Sequence, residues 1–465
     1  MLQYCGIAPL SKTFIRITGK DSTKFLNGLT TSRLLPNIVK KKQHTITDSD
    51  SKHADLSKVI DIETNWGLMH EDIYDPEQNI TISRDGINSM FLNSKGRVIT
   101  DCFLYSHPFH NFEGQFDDEM KQPGFLVEVD NPNLLMVLKL HKLSAKIKIA
   151  HEKSLYSYYY YNDTASFDEL LESVQDKYFR STDPVNALQN ANSFIKDEVF
   201  FNKDIAKHII GFSFDNRIPN FGIKVTTNKP ITKSEENEEG IPIKDFFSTE
   251  FQASYAVDAV PEDTVSQRRF VNGLFESHDA PKDVSLLPFE CNLDYINGLS
   301  LEKGCYIGQE LTIRTFNNGI IRKRIFPVQF FEINEENIEA IQQIDMTLDV
   351  TDSVISILKQ LPPSTLGKLE ITPLIEEALE EMPEQQQEAP NPFGASPFGS
   401  SKPVRKRKSS SGKIMTVQDN LGLALFGISD IEKCQLYKIE IPSLKDGNKV
   451  IGLKVNTPLW WPEQE

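Results

Sequence analysis

The chain is short of cysteine, of long apolar runs and of positive charge, and each shortage excludes a class of protein. Five cysteines are scattered through 465 residues: Cys5, Cys102, Cys291, Cys305 and Cys434. They are odd in number and far apart, which is not the pattern of a disulfide framework, and a reducing compartment is expected. No two of them make a CxxC, and no histidine stands at zinc-finger spacing from any of them, so a self-contained zinc site has no support. No stretch approaches the roughly 18 apolar residues of a membrane-spanning helix, and no integral membrane contact is expected. Lys and Arg number 50 against 66 Asp and Glu, a net charge of -16. Phosphate neutralisation needs a broad basic face, so no nucleic-acid partner is expected.

What is present describes two or three globular domains, with 39% hydrophobic and 25% charged residues. The opening MLQYCGIAPLSKTFIRITGK has three basic residues and no acidic one, as an organellar presequence has, but lacks a long Arg/Ser-rich amphipathic run. FIRITG alternates as a strand does, through Phe14, Ile15 and Ile17 to the turn signal at Gly19. The fold is therefore expected to begin at Phe14, with any import signal confined to the first dozen residues. DSTKFLNGLTTSRLL predicts a helix capped by Asp21 or Ser22. Ser89 to Tyr105 is hydrophobic on both sides of Ser94-Lys95-Gly96, the pattern of a β-hairpin. A strand at Phe125 to Asp130, a helix in NLLMVLKLHKL and a strand in AKIKIA follow. This order argues for the α+β class.

Polar insert loops are expected near 40–57 and 226–240. A longer insertion, 333–411, begins with helical stretches and decays into a Pro, Gln, Gly and Ser-rich segment that cannot supply a core. Strand-like segments flank it, so residues 319–465 read as a β-rich domain interrupted by a partly disordered insert, after an α+β region at 1–318. RKRK at Arg405 to Lys408 reads as a nuclear signal or as a solvated charge run.

The densest motif is KGCYIGQE, Lys303 to Glu310. Lys303 and a helix opening at Gly308-Gln309-Glu310 would each lower the pKa of Cys305, although Leu311 to Thr315 also alternates as a strand would. From the residues alone Cys305 is a packed thiol, a nucleophile, or a metal ligand completed by groups from elsewhere. Gly304 and Gly308 suggest a turn that presents something, with Tyr306 anchored in the core and Gln309 and Glu310 free to bond a heterocycle or a partner. In NSKGRVITD, Asp101 reads as a proton-transfer group or as the cap of a turn. The arginines of DNRIPNFGIK and SQRRFVNG suit a carboxylate ligand, or surface ion pairs.

Together, KGCYIGQE, the preceding PFECNLDYINGLS and the following RTFNNGIIRKRIFP resemble the signature of the YgfZ/GcvT family. Within it the similarity is to the mitochondrial iron–sulfur cluster assembly factors that act with A-type ISCA proteins. ITGKDSTKFLNGLTTSRL, FLNSKGRVITD, DNRIPNFG, RRFVNG and the closing PLWWP match in family order. The resemblance implies a fold like the T-protein of the glycine cleavage system: a multidomain body around a central folate-sized cavity, with a C-terminal β-barrel. It implies tetrahydrofolate as ligand, ISCA-type carriers as partners, and a role in maturing [4Fe-4S] proteins in the mitochondrial matrix. Residues carried over are Lys303, Gly304, Cys305, Tyr306, Gly308, Gln309 and Glu310, with Gly96, Arg97 and Asp101 as a second set. Where aminomethyltransferases have GG-x-x-DD, this chain has Gly96 to Asp101 with the second acid alone, and it has no GYTGE-type segment. The expectation is therefore an assembly factor more than an enzyme, with Cys305 as one thiolate of an iron–sulfur unit shared with a partner. A cluster generally takes about four thiolates, and Cys291 is the nearest companion in sequence. The rival reading is a folate-dependent one-carbon transferase using Asp101.

Overall fold

The structure is a computed structural model. It describes residues 4–34, 73–75, 80–82, 86–106, 124–179, 190, 193–194, 196–233, 240–301, 303–319, 321–343, 352–374, 410–441 and 449–462. The polar loop read at 40–57, the RKRK run and most of the acidic stretch before Gly240 lie outside the described residues. The chain divides into two compact units, 1–269 with 275–321 and 459–465, and 270–274 with 322–458.

In the first unit the strands are β1 (Cys5–Leu10), β2 (Thr13–Thr18), β3 (Ile87–Leu92), β4 (Val98–Ser106), β5 (Gly124–Val129), β6 (Lys148–Glu152), β7 (Tyr156–Asn162), β8 (Ile209–Phe214) and β9 (Ile223–Thr227). Helices α1 (Ser22–Asn27), α2 (Leu134–His141), α3 (Ala165–Val174) and α4 (Gln309–Asn317) accompany them. A five-stranded antiparallel sheet has the order β3-β4-β5-β2-β6, and a four-stranded one the order β1-β7-β9-β8. Alternation assigns the faces. Ile15, Ile17, Cys102, Leu104 and Val127 bury one face of the larger sheet against Leu26 of α1 and Leu134 and Leu138 of α2. Phe14, Phe103, Tyr105 and Leu126 cover the opposite face and meet Leu155 and Ile210.

Glu128 also points from that second face and is buried. Its carboxylate accepts from Tyr105 Oη at 3.1 Å and Ser157 Oγ at 2.6 Å, and pairs with the buried Lys224 ammonium at 3.1 Å. Lys224 lies 4.9 Å from the Phe103 ring centroid. These contacts join β4 and β5 of one sheet to β7 and β9 of the other. Beyond the smaller sheet, Tyr158 and Tyr160 enter a core rich in phenylalanine, including Phe167, Phe200, Phe212 and Phe251.

The fold begins earlier than Phe14. Cys5–Leu10 is a strand along β7, with Ile7 and Ala8 buried, the Ile7 N–H donated to Asp258 O and the Ile7 carbonyl accepting from Val260 N–H. Gly6 interrupts the apolar run because Val260 leaves no room for a Cβ there. That gap and the all-basic charge gave the segment the look of a leader.

The second unit contains β10 (Lys323–Phe331), β11 (Ile371–Pro373), β12 (Gly412–Gln418), β13 (Leu421–Gly427), β14 (Leu436–Ile441) and β15 (Lys449–Val455). They form one curled sheet in the order β11-β14-β15-β10-β13-β12, a half-barrel where a C-terminal β-barrel was expected. Its edge strands meet at Ile371, whose carbonyl accepts from Ser411 N–H and whose N–H donates to Ser410 Oγ. A three-residue edge strand is too short to close the sheet further. Part of the 333–411 segment belongs to the core: Ile371, Val354, Leu358 and Leu369 are buried, and helices Glu335–Gln343 and Asp352–Lys359 precede β11.

Removing one member of a buried ion pair strands its partner. Lys224→Met is expected to cost about 3–5 kcal/mol in denaturant unfolding. Adding Glu128→Gln, which keeps an acceptor for Tyr105 and Ser157, should recover most of that loss.

Candidate functional site

The turn between β3 and β4 is set by Asn93, whose side-chain carbonyl accepts from the N–H groups of Lys95 and Arg97, while Gly96 N–H donates to Asn93 O. Gly96 has φ +72 and Gly308 φ +79, in the left-handed region that favours glycine. The two are in backbone contact: a Cβ on Gly96 would lie 2.9 Å from Gly308 O, and one on Gly308 2.6 Å from Asn93 O. Two motifs 212 residues apart in the chain are thus joined with no side chain between them.

The segment after α1 completes the arrangement. Thr31 Oγ1 donates to Gly298 O and accepts from Met90 N–H, and Thr31 O accepts from Ser300 N–H. Lys303 is buried, its ammonium donating to Thr30 O at 2.5 Å and Ser32 O at 2.8 Å, 4.7 Å from the Tyr306 ring centroid. Burial without a carboxylate partner lowers its pKa to about 7. Ile307 N–H donates to Gly28 O. Held at both ends in this way, the turn leaves Cys305 at the surface, and Cys305 is the exposed one of the five cysteines.

Leu311 to Thr315 is helical, within α4, because Gly308 in its left-handed conformation starts the helix at Gln309. Gln309 and Glu310 lie at its first turn, with Glu310 paired to Arg314 at 2.6 Å across exposed side chains. Tyr306, Gly308, Gln309, Glu310, Ile313 and Arg314 line an open groove of about 740 Å³. Gly304 differs from the reading of paired glycines, because nothing lies within 4 Å of a Cβ placed on it.

Asp101 is not part of this group. It lies within β4, three residues past Val98, and its hydrogen bonds go to the segment at Ser277. Its carboxylate accepts from the Ser277 N–H at 2.7 Å and from Ser277 Oγ. Burial and the charge of Glu276 hold it above the ordinary carboxylate range, against the pull of Lys12. Arg97, half exposed, reaches Ser285 O at 3.3 Å. Around Asp101 stands a charged cluster that the motifs did not single out. Lys12 Nζ contacts Asp130 at 2.9 Å and Glu276 at 2.8 Å, and His278 Nδ1 contacts Asp130 at 2.8 Å. Asp130, Glu276 and His278 are close enough to hold a metal ion, but the Lys12 ammonium already bridges both carboxylates. Burial opposes both charges, but Glu276 and Asp130 raise Lys12, and Arg269, Lys12 and Arg217 together hold Glu276 well below its usual range. Only Lys12 and His278 could have been suspected from sequence, as a lysine in a presequence-like stretch and a histidine beside an aspartate.

The two arginine motifs feed the same cluster. Arg217 is buried and grips Asp215 through Nε and Nη2 at 2.8 Å each, with Nη1 on Glu276 at 2.8 Å. Arg269 bonds Asp279 at 2.8 Å, and Arg268 bonds Asp163 and Phe221 O. Arg217 and Arg269 are committed inside the protein, whereas the half-buried Arg268 makes its ion pair with the exposed Asp163 at the surface. Val98, Ile99, Phe275, Leu286, Asp130, Ser277, His278 and Lys282 line a neighbouring cavity of about 680 Å³. Cys291, the companion considered for Cys305, is buried, which pushes its thiol well above the usual range.

Comparison with known proteins fits the motifs that meet at Cys305. No family model matches the chain. The mitochondrial iron–sulfur cluster assembly factor IBA57 homolog of Candida albicans is 61% identical over 465 residues, covering 98% of each chain. The chain belongs to the family of mitochondrial iron–sulfur cluster assembly factors. The homolog of Scheffersomyces stipitis is 57% identical over 469 residues, and IBA57 of Saccharomyces cerevisiae 33% over 341 residues, 69% of this chain and 66% of that one. The resemblance read from KGCYIGQE is thereby borne out.

Two outcomes follow from the geometry. Gly308→Ala meets both a left-handed φ and the Asn93 carbonyl and is expected to cost about 1–3 kcal/mol, whereas Gly304→Ala should stay within about 0.5 kcal/mol. Denaturant unfolding of both variants checks the contrast. His278 is the pH-sensitive member of the charged cluster. Burial opposes its charge, but the Asp130 hydrogen bond and the charges of Asp279 and Glu276 outweigh burial and push it from 6.5 up to about 9. Its folded pKa is raised, so its stabilisation is complete below 6.5 and is lost as pH rises through about 9. The difference in unfolding free energy between the wild type and His278→Gln should shrink over that window, by about 1 kcal/mol for so exposed an imidazole.

Proposed function

We propose that the chain supports iron–sulfur cluster assembly in the mitochondrial matrix, offering the Cys305 thiolate to a cluster whose coordination is completed by an ISCA-type carrier. The observation that carries this reading is the contrast among the cysteines: Cys305 is exposed on a turn fixed by Lys303 and Gly308, while Cys102 and Cys291 are buried and Cys5 and Cys434 partly so. A cluster wanting about four soft ligands finds one here, so the others come from the partner. The groove lined by Gln309, Glu310, Ile313 and Arg314 begins one residue beyond the thiol and suits contact with that partner. The relatives' names, which describe mitochondrial iron–sulfur cluster assembly factors, agree with this role.

Tetrahydrofolate belongs to the same proposal. The 680 Å³ cavity is of the size that holds cofactors. Its walls combine Val98, Ile99 and Phe275, suited to a flat ring, with Ser277 and His278 for polar edges and Lys282 for carboxylates. When bound, the folate would supply a carried one-carbon unit. Asp101 and Arg97 border the strand that forms this wall, whereas Lys303, Gly304, Tyr306, Gly308, Gln309 and Glu310 serve the cysteine turn. A second reading, a folate-dependent one-carbon transferase on a T-protein-like body, is favoured by one observation, the raised Asp101 carboxyl beside that cavity.

Anaerobic mixing of the purified chain with an ISCA-type carrier tests the first reading. A visible-absorbing cluster that needs both proteins is expected with the wild type and not with Cys305→Ser, and an undiminished cluster in that variant defeats the ligand role. Folate turnover that is lost in Asp101→Asn and kept in Cys305→Ser would favour the transferase instead.

A further inference from the structure

Although the chain is strongly acidic overall, no carboxylate occurs between Asp130 and Glu152, where Lys139, Lys142, Lys146 and Lys148 do. Helix α2 lies in this segment. It buries Leu134 and Leu138 in the sheet core and turns Met136 and Leu140 outward, 69% and 71% exposed. Leu143, one turn on, is 88% exposed. Helical spacing of four places Met136 and Leu140 on one stripe beside Lys139, and Leu143 follows two residues past the helix end at His141.

Leu143 carries a second, independent signal. It has φ 43, the left-handed conformation that ends many helices and that normally selects Gly or Asn. Folding alone gains nothing from a bulky apolar side chain held there against backbone strain and facing water. The residue types also discriminate between partners. Protein interfaces are enriched in aromatics and Arg and depleted in Lys. Leucine and methionine in a segment whose own charged residues are lysines, with the Asp21 carboxylate reaching it through the Lys146 N–H at 2.7 Å, match helices that lie in the interface of an anionic bilayer, where apolar tips enter between headgroups and ammonium groups meet phosphates. No helix among the described residues is long and apolar enough to cross a membrane, so the contact is peripheral.

We propose that the face formed by Met136, Leu140 and Leu143 with Lys139, Lys142, Lys146 and Lys148 binds the surface of an anionic lipid bilayer. The Cys305 reading does not depend on it. The test is flotation of the full chain with vesicles of phosphatidylcholine alone and with vesicles of equal phosphatidylcholine and phosphatidylglycerol. Binding is expected to the anionic vesicles only, and to weaken with added salt. Replacing Leu140 and Leu143 together with Ser should reduce partitioning about tenfold or more. Each of Lys139→Gln and Lys146→Gln should reduce it about fivefold. Leu143→Asn, which suits a left-handed backbone, should bind less while its melting temperature is maintained or raised, which separates lost contact from lost folding. Equal retention on both vesicle types, or full binding by the double Ser variant, overturns the proposal. So does a dimer in solution that the double Ser variant abolishes, since the face would then be an interface between copies.

Discussion

The contact of Gly96 with Gly308 is the constraint on which the cysteine turn depends. Hairpin turn and helix start approach until Gly308 O occupies the space of a Gly96 Cβ and Asn93 O that of a Gly308 Cβ, and both glycines take a left-handed φ. The contact fixes where α4 begins, hence which residues face the groove and where the chain must pass just before it. Lys303 supplies the opposite anchor. A cation used on two backbone carbonyls, without a carboxylate, orders the Thr30 to Ser32 segment against the loop that carries Cys305. Between the two anchors Tyr306 is buried and Ile307 is bonded to Gly28 O, which leaves Gly304 and the exposed Cys305, with open space around the former. A rigid frame thus presents a short free stretch, the arrangement a thiol needs if it is to be reached by a second protein.

The charged cluster works by the opposite logic. Lys12, Arg217, Arg269, Asp130, Asp215, Glu276 and Asp279 saturate one another, so that almost every buried charge has a counter-charge within hydrogen-bond reach. Such a network costs much to desolvate and is held by geometry more than by net energy. Asp101 is its exception. It is hydrogen-bonded by Ser277 but is buried and lies in the field of Glu276, and its carboxyl is therefore held above the ordinary carboxylate range. A cluster tied up in this way gives the adjacent cavity a fixed wall.

How much of this was legible in the sequence depended on whether a signal was local. The hairpin around Ser94-Lys95-Gly96 and the strand at Phe125 were readable because alternation and turn chemistry lie within a few residues. The strand at Cys5 was not, since its evidence is a pairing with Tyr156–Asn162 about 150 residues away. Leu311 to Thr315 satisfied two periodicities, and the left-handed Gly308 decided between them. Arg217 and Arg269 looked like ligand-binding or surface groups because the sequence shows neither their burial nor their pairing: Asp215 stands two residues from Arg217 in the same motif, and Glu276 and Asp279 carry no motif. The eight-residue motif around Cys305 was legible as a motif, but not its division of labour, in which Gly308 is required by contact and Gly304 by none.

The stereochemistry of the remaining cysteines carries the last step. Burial pushes the thiols of Cys102 and Cys291 well above their ordinary range and walls them from solvent, so neither offers a thiolate without local unfolding. Cys5 and Cys434 are raised as well, the first on a strand bonded along its length to β7 and the second with its Sγ on Leu436 O. If Cys305 holds part of a cluster, as proposed, its single exposed thiol leaves the other ligands to another molecule, because the remaining four sulfur atoms are buried or partly buried.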